Sequence, residues 1–172
     1  MRNLTQVEGM SLAVLREGIH WGFETFAQYL DQLRRQGSVV NVAAYVGHSS
    51  VRTWVMGEQA TRRAATPAEV GQMCELVREA MRVGAVGFSS STSPAHNGEG
   101  GLPMPSRLAD EAEMAALVQA MAEGGRGVFM LTKSGETRLP FLESLAANSG
   151  RPVMVAALLH NSSNRGAVFA DL

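Results

Sequence analysis

The sequence predicts an α/β fold made of about four consecutive parallel βα units. Short apolar segments alternate with amphipathic segments, which is the pattern of parallel βαβ units. No predicted strand end carries the glycine-rich phosphate turn typical of nucleotide-binding doubly wound sheets. The strand ends carry hydrogen-bonding residues instead, and parallel α/β folds bind ligands at that end.

Four apolar segments are predicted to be strands. They cover 39–47, 85–91, 127–132 and about 152–159. Each is followed by a polar stretch, in order GHSS, SSSTS, TKSGE and HNSSN. One polar turn means little, but four in succession favour a site at one edge of the sheet.

Helices are predicted between the strands from apolar periodicity and from their end signals. The first covers about 23–35 and stops at Gly37. The second begins after Thr66, where Pro67 and Glu69 complete a capping box, and runs to about 83. Asp110 is predicted to cap a third helix, and the fourth covers about 139–148. The segment 92–109 between strand and helix is a long loop, and long loops are often functional.

Two architectures accept such units, an open doubly wound sheet and a partial TIM (β/α)8 barrel; the missing phosphate turn favours the barrel. A complete barrel takes about 250 residues, and this chain has 172. Four strands cannot close a barrel. We therefore expect residues 1–172 to form a single partial barrel domain, a fragment of a larger enzyme, with unclosed edges that could self-associate.

Composition excludes several classes of partner. The formal net charge is −1 and aromatic residues make up 6% of the chain, which argues against nucleic acid and anionic membranes. No apolar run is long enough to span a bilayer. The single cysteine, Cys74, rules out an intrachain disulfide and is expected to be buried. We expect a cytoplasmic protein.

Several long segments resemble one enzyme family in order and spacing. They are EGIHWGFETFAQYLDQL (17–33), VAAYVGHSSVRTWVMG (42–57), RRAATPAEVGQMCELVREAMRVGAVGFSSS (62–91) and FLESLAANSGRPV (141–153). Together they resemble the central barrel of the N-acyl-D-amino-acid deacylases, the D-aminoacylase branch of the metal-dependent amidohydrolases. The resemblance implies a TIM barrel and zinc-assisted hydrolysis of an amide on an N-acyl amino acid.

The same resemblance implies that two metal ligands have been replaced. The family pattern around one ligand histidine, laid on GVFMLTKSGE, puts Thr132 in its place, and the second pattern, laid on PVMVAA, puts Ala157 there. Hydroxyl groups are poor zinc ligands beside imidazole, and alanine has no ligand atom. We therefore expect this chain alone to bind no metal and to be inactive. The alternative is a non-catalytic paralogue that serves as a binding or assembly scaffold.

The candidate pocket residues follow the predicted strands. They are His48, Ser89, His96, Lys133, Glu136 and His160. His48 is expected either to line the pocket or to make a structural hydrogen bond, and His96 either to contact substrate or to be exposed. Lys133, the only lysine, is read as a solvated turn residue, as a pocket cation that pairs with a substrate carboxylate or Glu136, or as a buried amine. Arg52 is weighed as a carboxylate anchor against a surface ion pair.

Overall fold

The computed structural model of the chain describes residues 9–19, 21–156 and 166. Its centre is a sheet of four strands in the order β1-β2-β3-β4, and every neighbouring pair is parallel. The strands are Tyr45–Gly47 (β1), Gly87–Ser91 (β2), Val128–Thr132 (β3) and Val153–Val155 (β4). This arrangement confirms the predicted α/β class and the parallel βα units.

Six α-helices are found in the described ranges. They are Leu12–Gly18 (α1), Phe26–Gln36 (α2), His48–Met56 (α3), Pro67–Val83 (α4), Glu111–Ala122 (α5) and Leu139–Ser149 (α6). The four helices predicted from periodicity correspond to α2, α4, α5 and α6. Both α1 and α3 were missed; α3 begins directly at the end of β1, with no side-chain hydrogen bond to cap it.

The caps formed as the sequence predicted. Thr66 accepts a hydrogen bond from the backbone N–H of Glu69, and the Glu69 carboxylate accepts one from the N–H of Thr66. Asp110 accepts from the N–H of Glu113 at 2.7 Å, which fixes the start of α5. Gly150 ends α6 in the left-handed conformation, with φ of 62°. Each signal acts within one helical turn, so the sequence alone is enough to predict it.

The first strand is shorter than predicted. Residues 39–44, apolar except for Asn41, lie outside any strand, and the side chain of Val39 is fully exposed. The reason is the partner strand, because Tyr45 pairs with Gly87, the first residue of β2. One hydrogen bond, from the N–H of Val86 to the carbonyl of Ala44, extends the ladder by one residue. The predicted fourth strand is seen only at 153–155, and its residues 157–159 lie outside the described part.

The two faces of the sheet differ in how far other parts of the protein cover them. One face packs against the helices, where Phe88 of β2 stacks on Phe129 of β3 with ring centroids 5.7 Å apart. Alternate residues point to the opposite face. On that face Ser89 is half-buried and Met154 is 42% exposed. We call these the helix face and the open face.

No helix within the described ranges is both long enough and apolar enough to cross a bilayer.

Candidate functional site

The carboxyl ends of β2 and β3 form a polar edge. Ser91 and Thr132 are register partners at the last position of each strand. The N–H of Thr92 donates to the carbonyl oxygen of Thr132 at 3.0 Å. The Thr92 hydroxyl lies 2.7 Å from that of Thr137 and accepts from the N–H of Ser134 at 2.8 Å. The two strand ends are therefore held together by side chains as well as by the ladder.

The long loop after β2 is tied down internally. Asn97 and Pro103 form an isolated antiparallel bridge. The N–H of Gly98 donates to the carbonyl of Leu102 at 2.7 Å, and Arg107 donates to the side-chain oxygen of Asn97. These contacts give the loop a defined shape at the polar edge.

His96 lies in this loop and contacts the end of β2. Its Nδ1 is 2.7 Å from Oγ of Ser91. Ser91 Oγ also accepts a hydrogen bond from the N–H of Ser93 at 3.2 Å. Both Ser91 and His96 are half-buried. The pair is thus a serine and a histidine in direct contact at the edge where this fold class binds ligands.

His48 lies on the helix face instead. It is the first residue of α3 and is 1% exposed. Its Nδ1 is 2.8 Å from Oγ of Ser90, and its Nε2 is 2.7 Å from a carboxylate oxygen of Glu113. Of the two roles weighed for His48, this is the geometry of the structural hydrogen bond.

Arg52 completes the buried cluster. One turn after His48 in α3, it donates to the second carboxylate oxygen of Glu113, and its Nη2 donates to the carbonyl of Arg63 at 2.9 Å. Its side chain is fully buried, so the reading of Arg52 as a surface ion pair is wrong. We refer to His48, Ser90, Glu113 and Arg52 as the buried cluster.

Burial and charge set the protonation of this cluster. Burial lowers the pKa of His48, and this effect outweighs the hydrogen bond and charge of Glu113, which raise it. Burial also raises the pKa of Glu113, but the hydrogen bonds from His48 and Arg52 outweigh it and leave that pKa below its usual range. The cluster therefore contains a neutral imidazole and an ionised carboxylate.

The remaining predicted residues that the structure describes lie on or beside the polar edge. Ser89 lies on the open face, two residues before Ser91. Lys133 is half-buried and donates to the carbonyl of Ser134 at 3.3 Å, and Glu136 is exposed in the turn that follows. His160 and Ala157 lie outside the described residues.

In the buried cluster, Ser90 was considered from the sequence only as a pocket-lining serine, and Glu113 was not considered as a site residue. Strand alternation places Ser90 on the same face as Phe88, so its position on the buried face can be predicted from the sequence. In the sequence, Glu113 resembles any acidic residue in the first turn of a helix, where a negative charge interacts favourably with the helix dipole. Nothing local to it indicates that it faces Arg52, which lies 61 residues earlier in the chain.

A separate groove of about 440 Å³ lies beside β1, between α2, α3 and α4. Aromatic side chains contribute much of its wall, including Trp21, Phe26, Tyr29 and Trp54. None of the predicted site residues lines it. Its position at the edge of β1 separates it from the Ser91–His96 pair.

No metal-binding group of three His, Cys, Asp or Glu side chains exists among the residues that the structure describes. Thr132, where the resemblance expects a ligand imidazole, ends β3 and is half-buried. The described part of the polar edge therefore offers hydroxyl groups and the His96 imidazole rather than a group of three metal ligands.

No protein-family model matches the chain. Individual proteins and solved structures that resemble it are named as D-aminoacylases or N-acyl-D-amino-acid deacylases. The chain is 47% identical over 79 residues to a protein named D-aminoacylase from Alcaligenes xylosoxydans xylosoxydans. That match covers 46% of this chain and 16% of the relative.

Solved structures agree with this. A D-aminoacylase studied for its binuclear metal centre is 30% identical, with a TM-score of 0.62, over 77% of this chain and 27% of that one. An N-acyl-D-glutamate deacylase from Bordetella bronchiseptica, complexed with zinc and a phosphonate mimic of the tetrahedral intermediate, has a TM-score of 0.68 and 25% identity. This match covers 92% of our chain and 33% of the deacylase. The chain thus spans a third or less of each of these relatives.

Proposed function

Because this chain is a homologue of D-aminoacylase and the N-acyl-D-amino-acid deacylases, we propose that it supplies four βα units of a metal-dependent amidohydrolase barrel. The parent reaction is hydrolysis of the amide bond of an N-acyl amino acid. The observation that carries this proposal is the structural match, over 92% of this chain, to one third of a deacylase solved with a mimic of the tetrahedral intermediate. Fold similarity alone would not fix the chemistry, so the named activity of the relatives is the second support.

The polar edge is the part of this chain that would face the substrate. Ser89, His96, Lys133 and Glu136 lie on or beside it, and His160 follows β4 in sequence. Lys133 carries the charge that would attract a substrate carboxylate. We do not assign this role to His48, since both of its ring nitrogens have partners on the helix face.

The metal of the parent enzyme, zinc or another divalent ion, does not fit the described residues. Thr132 offers a neutral hydroxyl where the resemblance expects an imidazole, and no suitable donor group surrounds it in the described part. Any metal would have to be held by other segments of the parent protein. We therefore assign no step through a metal to this chain.

An activity assay tests this directly. The purified 172-residue chain should contain far less than one zinc per molecule after incubation with zinc and gel filtration. It should not release amino acids from N-acyl-D-amino acids, with or without added zinc. Turnover that depends on zinc and stops with a chelator would contradict the assignment of the metal site to other segments.

A binding experiment tests the substrate edge. Addition of an N-acetyl-D-amino acid should shift the imidazole NMR signals of His96 and leave those of His48 unchanged. His96→Gln and His48→Gln assign the two signals, and the L-enantiomer is the matched control for the ligand. Equal shifts of both histidines, or no shift at millimolar ligand, would count against this edge as the substrate side.

The second candidate is a non-catalytic, amidohydrolase-like scaffold. The replacement of a ligand histidine by Thr132, inferred from the resemblance, favours it. The sequence that flanks these units in the parent reading frame distinguishes the two. An intact His-x-His pair upstream and an aspartate downstream support the enzyme, whereas their loss supports the scaffold.

Unpaired strand edges suggest self-association as a further property of the isolated chain. Within the described residues, β1 and β4 each have a neighbour on one side only. Exposed edges readily pair with another strand. Light scattering after gel filtration should therefore show species larger than a monomer at micromolar concentration, and a strictly monomeric chain would contradict this.

A further inference from the structure

We propose that Ser91 and His96 form a nucleophile–base pair that accepts an acyl group from an ester or thioester without a metal. The inference goes beyond the proposed amide hydrolysis and does not depend on it. It begins with the 2.7 Å contact between Ser91 Oγ and His96 Nδ1. A serine hydroxyl is a weak nucleophile until an adjacent base takes its proton, and this distance is within the range for that transfer.

The serine oxygen is held in place for this role. The N–H of Ser93 donates to Ser91 Oγ at 3.2 Å, which favours negative charge on that oxygen. The backbone carbonyl of Ser91 accepts from the hydroxyl of Ser106 at 2.8 Å. Ser106 in turn is anchored through its N–H to the hydroxyl of Ser49 in α3, at 3.1 Å. The nucleophile therefore stands on a rigid strand end.

The base is also held from more than one side. The N–H of His96 donates to the carbonyl of Ser93 at 3.1 Å. Its carbonyl accepts from the N–H of Met104 at 3.2 Å and from Arg107 at 3.3 Å. The imidazole is thus presented by a fixed backbone rather than by an untethered loop, with Nδ1 directed at the hydroxyl.

The pair is reachable by a small acyl donor. Ser91 and His96 are half-buried and lie at the carboxyl end of β2. A second serine–histidine contact, between Ser90 and His48, is sealed on the helix face with His48 1% exposed. Of these two contacts, only the Ser91 pair meets the requirement that a substrate can approach.

The reaction balances with these groups and water. Ser91 Oγ forms a bond to the acyl carbon as its proton moves to Nδ1 of His96. The bond from the acyl carbon to the leaving oxygen or sulfur breaks, and His96 returns the proton to the leaving group. Water then cleaves the acyl-serine, with His96 again accepting and donating the proton, and releases the carboxylic acid.

The test uses the full 172-residue chain with p-nitrophenyl acetate in the presence of a chelator. We expect a burst of one p-nitrophenol per chain and one acetyl group located on Ser91 by peptide mass spectrometry. Ser91→Ala should abolish the burst, whereas Ser144→Ala, which removes an exposed hydroxyl in α6 away from the polar edge, should keep it. His96→Gln should slow acylation by about 100-fold or more, the usual contribution of a general base.

Other outcomes are also decisive. Acetyl groups found on amino groups or scattered hydroxyls, with Ser91 unmodified, would overturn the proposal, as would an unchanged rate in His96→Gln. If circular dichroism shows that Ser91→Ala does not fold, Ser91→Cys decides instead, and its acetyl group should appear as a hydroxylamine-sensitive thioester. The chelator separates this result from the proposed function of the parent enzyme, because a burst in its presence cannot come from a metal-dependent reaction.

Discussion

Ser90 and Ser91 are neighbours in one strand, and each contacts a histidine, yet their surroundings differ completely. Ser90 faces the helices and binds His48 within the buried cluster. Ser91 points the other way and binds His96 at the polar edge. One residue of strand alternation thus separates a buried contact that joins elements from a half-buried contact at the polar edge. The face of the sheet, rather than the residue pair, therefore determines what a serine–histidine contact can do.

The largest expected effect comes from the charge at the centre of the buried cluster. Glu113→Ala should lower the free energy of unfolding by about 3–5 kcal/mol, because Arg52 would be left as an uncompensated buried charge. Urea unfolding followed by circular dichroism measures this. The matched control is Glu123→Ala just after the same helix, which removes an exposed partner of Arg78 and should cost far less.

A double variant sharpens this prediction. If Arg52 and Glu113 act as a pair, removing both should cost less than the sum of the two single changes. If Glu113→Ala and Glu123→Ala lowered the free energy of unfolding equally, the buried cluster would stabilise the fold no more than a surface ion pair does. That result would contradict the stabilising role assigned to the helix face.

A smaller effect separates the two serines. Ser90→Ala should cost about 1–3 kcal/mol, because His48 loses a buried hydrogen-bond partner that water cannot easily replace. Ser91→Ala should cost about 1 kcal/mol or less, since its partners are half-buried and can bind water. Both are measured as shifts in the urea midpoint. A larger loss for Ser91→Ala than for Ser90→Ala would reverse the assigned roles.

The smallest effect is a dependence of stability on pH. The pKa of His48 is lowered in the folded state, so as the pH falls below about 6.5 the unfolded chain binds a proton that the folded chain does not. Stability should therefore decline on acidification from that point. The lowered pKa of Glu113 adds a further decline below about 4.5, where the unfolded carboxylate becomes protonated.

Unfolding midpoints measured from pH 8 to 5 test the histidine part. His48→Gln should reduce the slope below pH 6.5. A slope that His48→Gln does not change would show that His48 is not the group that titrates.

Much of the fold could be predicted because its signals are local. The Thr66–Glu69 capping box and the alternation of apolar segments act over a few residues, and both were found where expected. Strand length was less predictable. Val39 is apolar but fully exposed, because strand pairing begins only where Gly87 provides a partner.

The site was predicted in outline but not in its pairings. Sequence placed hydrogen-bonding residues at four strand ends, and the structure has them after β1, β2 and β3, while residues 160–164 lie outside the described part. Sequence could not show that Glu113 lies against both His48 and Arg52, because those contacts join residues 65 and 61 positions apart. The helix α3 was missed for a related reason, since its first residue is held by those distant partners and not by a cap of its own.

The buried cluster also has a consequence for how such barrels can be rearranged by recombination. Its four side chains come from the unit β1–α3 and from the unit β2–α5, so each unit holds part of an ionic contact that the other must complete. A crossover between these two units that brings in an unrelated second unit would leave the buried Arg52 without its ionic partner Glu113. Viable chimaeras should therefore exchange the first two units as one block.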